Sequence, residues 1–301
     1  ITDKKVVDYL LEHFEHTFSL GGTAAQGAAA MASVGMPLIA HISDKSKEVC
    51  DLMDYEGLNA IVGEQQVPIR EIHTGEPVYH VVFSYTKGDS FVLHGKRYEV
   101  PISNRVILDY DTIHKDIVVK DDFKNYLEQH TDQLISYNVS GFNGIIDTDL
   151  VSRRMKELGV HYKKVKEKNP DCLIYFESAH YISQEVKKIV YREIASYVDI
   201  MGMNEEELVA HMKELDFEPD KENLNDVLKS MAVLTEKYHV RGIIMHTKDY
   251  SMYYGDEIPG IDIEKALTMG NLLSGTRARV GHYGNLSECY DSLKLELSST
   301  G

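Results

Sequence analysis

Cysteine, proline and positive charge are all scarce in this chain. Its three cysteines, Cys50, Cys172 and Cys289, stand far apart and outside any CxxC or Cys/His pairing, so neither a disulfide framework nor a zinc site is encoded. A reducing, cytoplasmic compartment is expected. Only 7 prolines and 21 glycines occur among 301 residues, which excludes collagen-like and low-complexity classes, while 43% hydrophobic and 27% charged residues are ordinary for a globular chain. Against 48 acidic residues stand 32 basic ones, and the net charge of −16 repels polyanions and argues against a nucleic-acid partner.

Long apolar runs are missing as well. The longest uncharged stretch, Thr17 to Ser43, is mostly alanine and is interrupted by Gly21, Gly22, Gln26, Gly27, Gly35 and Pro37, so it reads as a core segment and no membrane partner is expected. The opening ITDKKVVDYLL carries neither a secretory pattern nor a lipidation motif. There is no GxSxG elbow, Walker A loop, GxGxxG fingerprint or Ser/His/Asp order, which leaves hydrolase, P-loop and dinucleotide readings without support.

What is present is an alternation of short apolar runs and helical patterns from about Asp121 onward, the signature of a doubly wound α/β body. Strands are expected at Ile135–Val139, Cys172–Phe176, Val198–Met201 and Gly242–His246. Helices are expected at Leu150–Lys166, Ser183–Tyr197 with Ser183 as N-cap, Glu205–Met212, Glu222–Tyr238 and Ile263–Arg279. Residues 67–108 break the alternation, because YHVVFSY, SFVLHG and KRYEVPI are closely spaced β-branched and aromatic runs separated by the turn residues Lys87, Gly88 and Asp89. The expected organisation is a large α/β domain, 1–66 and 109–301, carrying a small antiparallel insert, 67–108, that acts as a lid or as a plain sheet extension. The chain opens on a helical pattern, VVDYLLEHFEHTF, and ends on LELSSTG without a closing strand, so segments of a longer protein are expected at both ends.

Four places could carry chemistry. Gly21-Gly22 precedes a helix of very small side chains, where backbone N–H groups can approach an oxyanion or hydroxyl, although close helix packing also asks for such residues. Asn204 and Glu207 have capping-box spacing after a strand; a carboxylate there can also help hold a hydrated Mg²⁺ on phosphates. Glu177 ends a strand and can point into the same crevice or simply into solvent. His246-Thr247 ends a later strand, with a plain loop histidine as the alternative.

In order and spacing, SLGGTAAQGAAAMASVGMP, YHVVFSYTKGDSF, SNRVILDYD, NVSGFNGI, YFESAH, MGMNEEEL, IIMHT, ALTMGNLLSGTRARVGHYG and LELSSTG resemble the ADP-dependent glucokinase and phosphofructokinase family of the ribokinase superfamily. The resemblance implies a ribokinase-like fold with a β-sheet lid, and transfer of the β-phosphate of ADP to glucose or fructose 6-phosphate with Mg²⁺, releasing AMP. It implies sugar binding at Gly21, Gly22 and Gln26, nucleotide binding at Asn204, His246 and Thr247, and metal binding at Glu177 and Glu207. The family's His-x-Glu falls on Tyr175-Phe176-Glu177, with tyrosine in place of histidine, and Thr23 follows the Gly-Gly. Its Gly-x-Gly-Asp base is not in the chain; the nearest lookalike, Gly281 to Asn285, ends in asparagine. Alternatives are an ATP-using ribokinase-like sugar or nucleoside kinase and a non-catalytic sugar- or nucleotide-binding homologue. For a phosphorylated sugar, Arg105, Lys87 and Lys96 around the insert are the candidate anchors.

Overall fold

A computed structural model describes residues 2–296. The last five residues of LELSSTG lie outside them. The chain enters through α1 (Lys4–His13), capped by Asp3, and α2 (Thr23–Ala32). Next come β1 (Leu38–Ile39), α3 (Lys47–Leu52), β2 (Leu58–Val62) and β3 (Gln65–Pro68), whose strands form a small sheet in the order β1-β2-β3. Val67, read from the sequence as the opening of the insert, instead pairs opposite Ala60 of β2.

The insert itself consists of two antiparallel ribbons. Its outer strands, β4 (Tyr79–Tyr85) and β7 (Asn104–Tyr110), pair over their full length, and β5 (Ser90–Leu93) pairs with β6 (Lys96–Glu99) between them. The inner hairpin turns on His94 and Gly95, both at positive φ, the conformation that matches the right-handed twist of a two-residue turn. At the base of the insert the Asp44 carboxylate accepts the Val78 N–H at 3.0 Å, and Asp111 accepts the N–H groups of Ile113 and His114 and the His114 ring at 2.6 Å.

The main body follows: α4 (Asp121–Gln129), β8 (Ser136–Val139), α5 (Thr148–Lys168), β9 (Leu173–Glu177), α6 (Gln184–Ile194), β10 (Ile200–Asn204), α7 (Glu205–Lys213), α8 (Leu224–Tyr238), β11 (Gly242–His246), β12 (Ser251–Gly255), α9 (Ile263–Val280) and α10 (Leu286–Ser292). Among the described residues its sheet has five strands in sequential order; β8 to β11 are parallel and β12 returns antiparallel beside β11. The two-residue period sorts the side chains. Ile174, Phe176, Met201, Met203, Ile243 and Met245 enter the core formed with α5, α6, α7 and α8. The intervening residues face the other way, where Leu173 and Ile200 meet Ile258 and are joined by Ile261 and Ile263.

Several expected boundaries move by a few residues, and those of two strands bear on the site. The second strand of the body runs to Glu177 rather than stopping at Phe176, and the third begins at Ile200 rather than Val198 and reaches Asn204. Asp199 is the reason for the second shift. Its nearly buried carboxylate accepts the Ile174 N–H at 2.8 Å and pairs with Lys166 Nζ at 2.8 Å, so its side chain is committed before the ladder begins. Ser183 caps α6 as expected, accepting from Val186 N–H. Among the described residues no helix is long and apolar enough to cross a membrane.

Met201 is fully buried at the centre of this core. Met201→Ala should therefore lower unfolding free energy by about 2–5 kcal/mol in a urea titration. Val160→Ala, at a 59% exposed position on α5, should stay within about 0.5 kcal/mol. Equal losses for the two would contradict this placement of the core.

Candidate functional site

The sheet's second face carries polar residues at the carboxyl ends of β9, β10 and β11. In the parallel register Glu177 lies opposite Gly202 and Asn204 opposite His246, so residues 25 and 42 positions apart in sequence come into line. Glu177 is held on both oxygens: the Tyr175 hydroxyl donates to Oε2, and His246 Nε2–H donates to Oε1 at 2.8 Å. This arrangement needs a glycine at 202, because any Cβ there would overlap the Tyr175 hydroxyl and Glu177 Oε2.

One turn further, Asn204 and Glu207 close the expected capping box. Glu207 N–H donates to Asn204 Oδ1 at 2.9 Å, and Asn204 N–H donates to Glu207 Oε2 at 3.1 Å. Burial pushes the Glu207 carboxyl up, and the negative charge of Glu177 adds to the rise, against the opposing pull of the Asn204 N–H and of His246. His246 is shifted upward chiefly by its bond to Glu177, with burial opposing. Tyr175 is raised well above the usual phenol range by burial and by Glu177, so it stays a donor. Glu177, Glu207 and His246 therefore form one electrostatic unit.

The other expected residues lie differently. Thr247 is occupied by the turn between β11 and β12, where its hydroxyl accepts from Asp249 and Tyr250 N–H and donates to Tyr250 O. Gly22, at φ 78°, is the N-cap of α2, and neither it nor Gly21 has a side chain to block an approach. Gln26 is tied to Arg277 of α9, whose guanidinium lies 4.4 Å from the Tyr283 ring centroid. Asn285, the lookalike terminus, caps α10. Gln26 thus belongs to the docking of α2 on α9, Gly21 and Gly22 stand clear at the start of α2, and Glu177, Asn204, Glu207 and His246 are brought together.

Sequence reading missed three features. Gly202 was read as following a strand that stopped at Met201, not as a residue inside it; Tyr175 appeared as a substituted position rather than a partner of Glu177. The third is a cationic pair at the base of the insert. Lys45 is shifted down by burial and by the adjacent Lys120, and burial beside both lysines lowers His41 to about 4, so the ring is neutral and accepts the Lys120 N–H at 3.2 Å. By contrast Lys87, Lys96 and Arg105 lie exposed on the ribbons, Lys96 resting over the Tyr98 ring.

Among the described residues no three His, Cys, Asp or Glu side chains gather as a metal cluster. Magnesium does not require one, since it keeps several waters and takes one or two carboxylates together with substrate phosphates. The like-charged pair Glu177 and Glu207 fits that donor set.

A parallel α/β body with an acidic corner at its strand carboxyl ends and a β-ribbon insert defines the class. The model of the ADP-specific phosphofructokinase/glucokinase conserved region matches residues 1–300, and the chain belongs to that family. It is 25% identical to an ADP-specific phosphofructokinase of Pyrococcus horikoshii over 299 residues, covering 90% of this chain and 65% of that protein. It is 21% identical to the enzyme of the same name from Thermococcus zilligii, covering 78% and 54%. The chain therefore spans less than two thirds of these relatives. Among solved structures, a Pyrococcus horikoshii phosphofructokinase with AMP superposes with a TM-score of 0.80 at 22% identity, over 99% of this chain and 71% of that one. An ADP-dependent kinase complex with fructose-6-phosphate and ADPbetaS gives 0.82 at 18%, over 99% and 69%. The fold is ribokinase-like, as the sequence implied.

Glu177→Gln should bring the His246 pKa down in an NMR titration, because the carboxylate that raises it is gone. The sign for stability follows. A raised native pKa stabilises fully below the unfolded value of about 6.5, and the contribution fades as pH climbs through the native pKa. The stability gap between wild type and Glu177→Gln should accordingly shrink from pH 6 to pH 8. An unmoved His246 pKa would contradict the pairing.

Proposed function

We propose that the protein is an ADP-dependent sugar kinase acting on fructose 6-phosphate. The observation that carries the reading is the acidic corner formed by Glu177, Glu207 and His246 in a chain of this family. Backbone N–H groups at the start of α7 and the raised imidazole of His246 favour phosphate oxygens. Glu177 and Glu207 are the residues that would hold Mg²⁺, which when bound spreads and neutralises charge on the transferring phosphoryl group. Tyr175 and His246 hold Glu177 in place through one hydrogen bond to each of its oxygens. With one lone pair on each oxygen engaged, Glu177 would meet the hydrated ion through the remaining lone pairs and is assigned to positioning.

The sugar is assigned to the amino end of α2, where Gly21 and Gly22 let backbone approach a hydroxyl. Gln26, held by Arg277, fixes the first turn of that helix beneath it. The choice of fructose 6-phosphate rests on Lys45 and Lys120. Lys45, whose charged form is disfavoured by burial and by the adjacent Lys120, gains from an anion between the two, and both stand where the insert joins the body. Residues 79–110 act as the lid, closing from that base to exclude water, which would otherwise compete as acceptor. The donor ADP follows from family membership and from the ADP-analogue and AMP complexes of the related structures.

The test is product analysis with the full-length protein. ADP and fructose 6-phosphate with magnesium should yield AMP, and Lys45→Gln with Lys120→Gln should raise KM for fructose 6-phosphate by about tenfold or more while kcat changes little. Turnover from ATP alone would move the assignment to an ATP-using kinase. Faster reaction with glucose, unaffected by the lysine changes, would reject the acceptor.

A further inference from the structure

The opposite end of the same sheet holds a cavity of about 930 Å³, lined where β10 and β11 begin and where α5, α6, α7 and α8 end. Its charge runs against that of the molecule. Seven lysines and arginines line it against three carboxylates, in a chain of net charge −16.

Part of that positive charge is structural. Lys166 pairs with Asp199 at 2.8 Å, Lys187 with Glu214 at 2.8 Å, Lys163 with Glu167 at 3.8 Å, and Arg192 with Glu193 at 2.8 Å. Lys188, Lys237 and Arg241 have no carboxylate within ion-pair distance among the described residues. Offsetting the negative helix ends does not explain all three: Lys188 sits in the second turn of α6, and Arg241 stands beside the first residue of β11.

The floor supplies a second, independent sign of a missing ligand. His211 is fully buried, and its Nε2 has no hydrogen-bond partner. The Tyr238 hydroxyl lies 3.0 Å from Nδ1; in the tautomer in which that hydroxyl donates, the ring hydrogen sits on Nε2 as a donor without an acceptor. Burial and the nearby Lys187 and Lys237 keep this ring neutral. Such an orphaned buried polar atom asks for an explanation, and an acceptor bound at the cavity floor gives one once the side chains that cover the ring shift to admit it. Tyr191, Tyr197 and Tyr238 add aromatic wall beside these donors.

We propose that this cavity is a second anion site, taking a small phosphate-bearing molecule on Lys188, Lys237 and Arg241 above the Nε2–H of His211. It lies at the other end of β10 from Asn204. The five residues from Asp199 to Asn204 separate the two sites by roughly 16 Å of strand. An anion here bridges the ends of α6 and α8 and the entries to β10 and β11, ordering the lower rim without touching the acidic corner.

Inorganic pyrophosphate serves as the probe, read by hydrogen exchange on the full-length protein without metal. Exchange should slow at residues 187–197 and 237–241. In Lys188→Gln/Lys237→Gln/Arg241→Gln that protection should vanish and the dissociation constant for this site rise at least about tenfold. Glu207→Gln should leave the protection intact, which separates this site from the proposed catalytic one. Protection confined to the neighbourhood of Glu177, Asn204 and His246, or no protection at millimolar pyrophosphate, would overturn the proposal. Should the triple variant fold poorly, Lys188→Gln alone must still weaken binding, and unchanged binding there would overturn it equally.

Discussion

A carboxylate gripped by a tyrosine hydroxyl on one oxygen and an imidazole on the other needs an open patch of sheet, and Gly202 provides it. Because β9 and β10 are parallel and in register, a side chain at 202 would stand where Tyr175 meets Glu177. Everything at the acidic corner follows from that gap. Glu177 reaches across toward β11 and finds His246, whose charge it favours, and its own charge raises Glu207 on the next turn. The capping box then fixes Glu207 at the start of α7, so the same side chain stabilises the helix and faces the crevice. A structural and a chemical role coincide in one residue.

The molecule separates charge along its strands. At the carboxyl ends stand acids whose mutual repulsion a cation relieves; at the amino ends lie lysines and an arginine without carboxylate partners among the described residues, over a buried histidine with an unpartnered ring nitrogen. Between them the sheet's first face is packed with methionine, isoleucine and phenylalanine from β9, β10 and β11, a low-dielectric layer that screens neither end. An overall charge of −16 does not exclude anionic ligands. It makes local cationic placement decisive, and the described structure has such placement at Lys45 with Lys120 and at the lower cavity.

Local rules carried the sequence reading far. The capping box of Asn204 and Glu207, the Ser183 cap and the limits of β11 are short-range patterns, and all stand in the structure. What failed to show was set by register and by distance in sequence. Interior Gly202 looks like a strand terminator, because the reason for it lies on the neighbouring strand at Tyr175 and Glu177. Val198 and Asp199 look like strand, but the Asp199 carboxylate serves as an anchor for Lys166 and Ile174. The β2 and β12 strands and β7 of the insert were not expected, since their pairing partners rather than their composition define them. Lys45 and Lys120 are 75 positions apart, and only the fold joins them across the insert.

The central claim is that the corner around Gly202 receives a divalent cation together with nucleotide phosphates. Anomalous diffraction from crystals of the full-length protein grown with manganese and a non-hydrolysable ADP analogue tests it most directly. The account predicts a manganese peak within one water layer of the Glu207 and Glu177 carboxylates, with the analogue's phosphates toward the start of α7. A manganese peak on the phosphates at any other part of the chain, with Glu177 still held only by Tyr175 and His246, would contradict it.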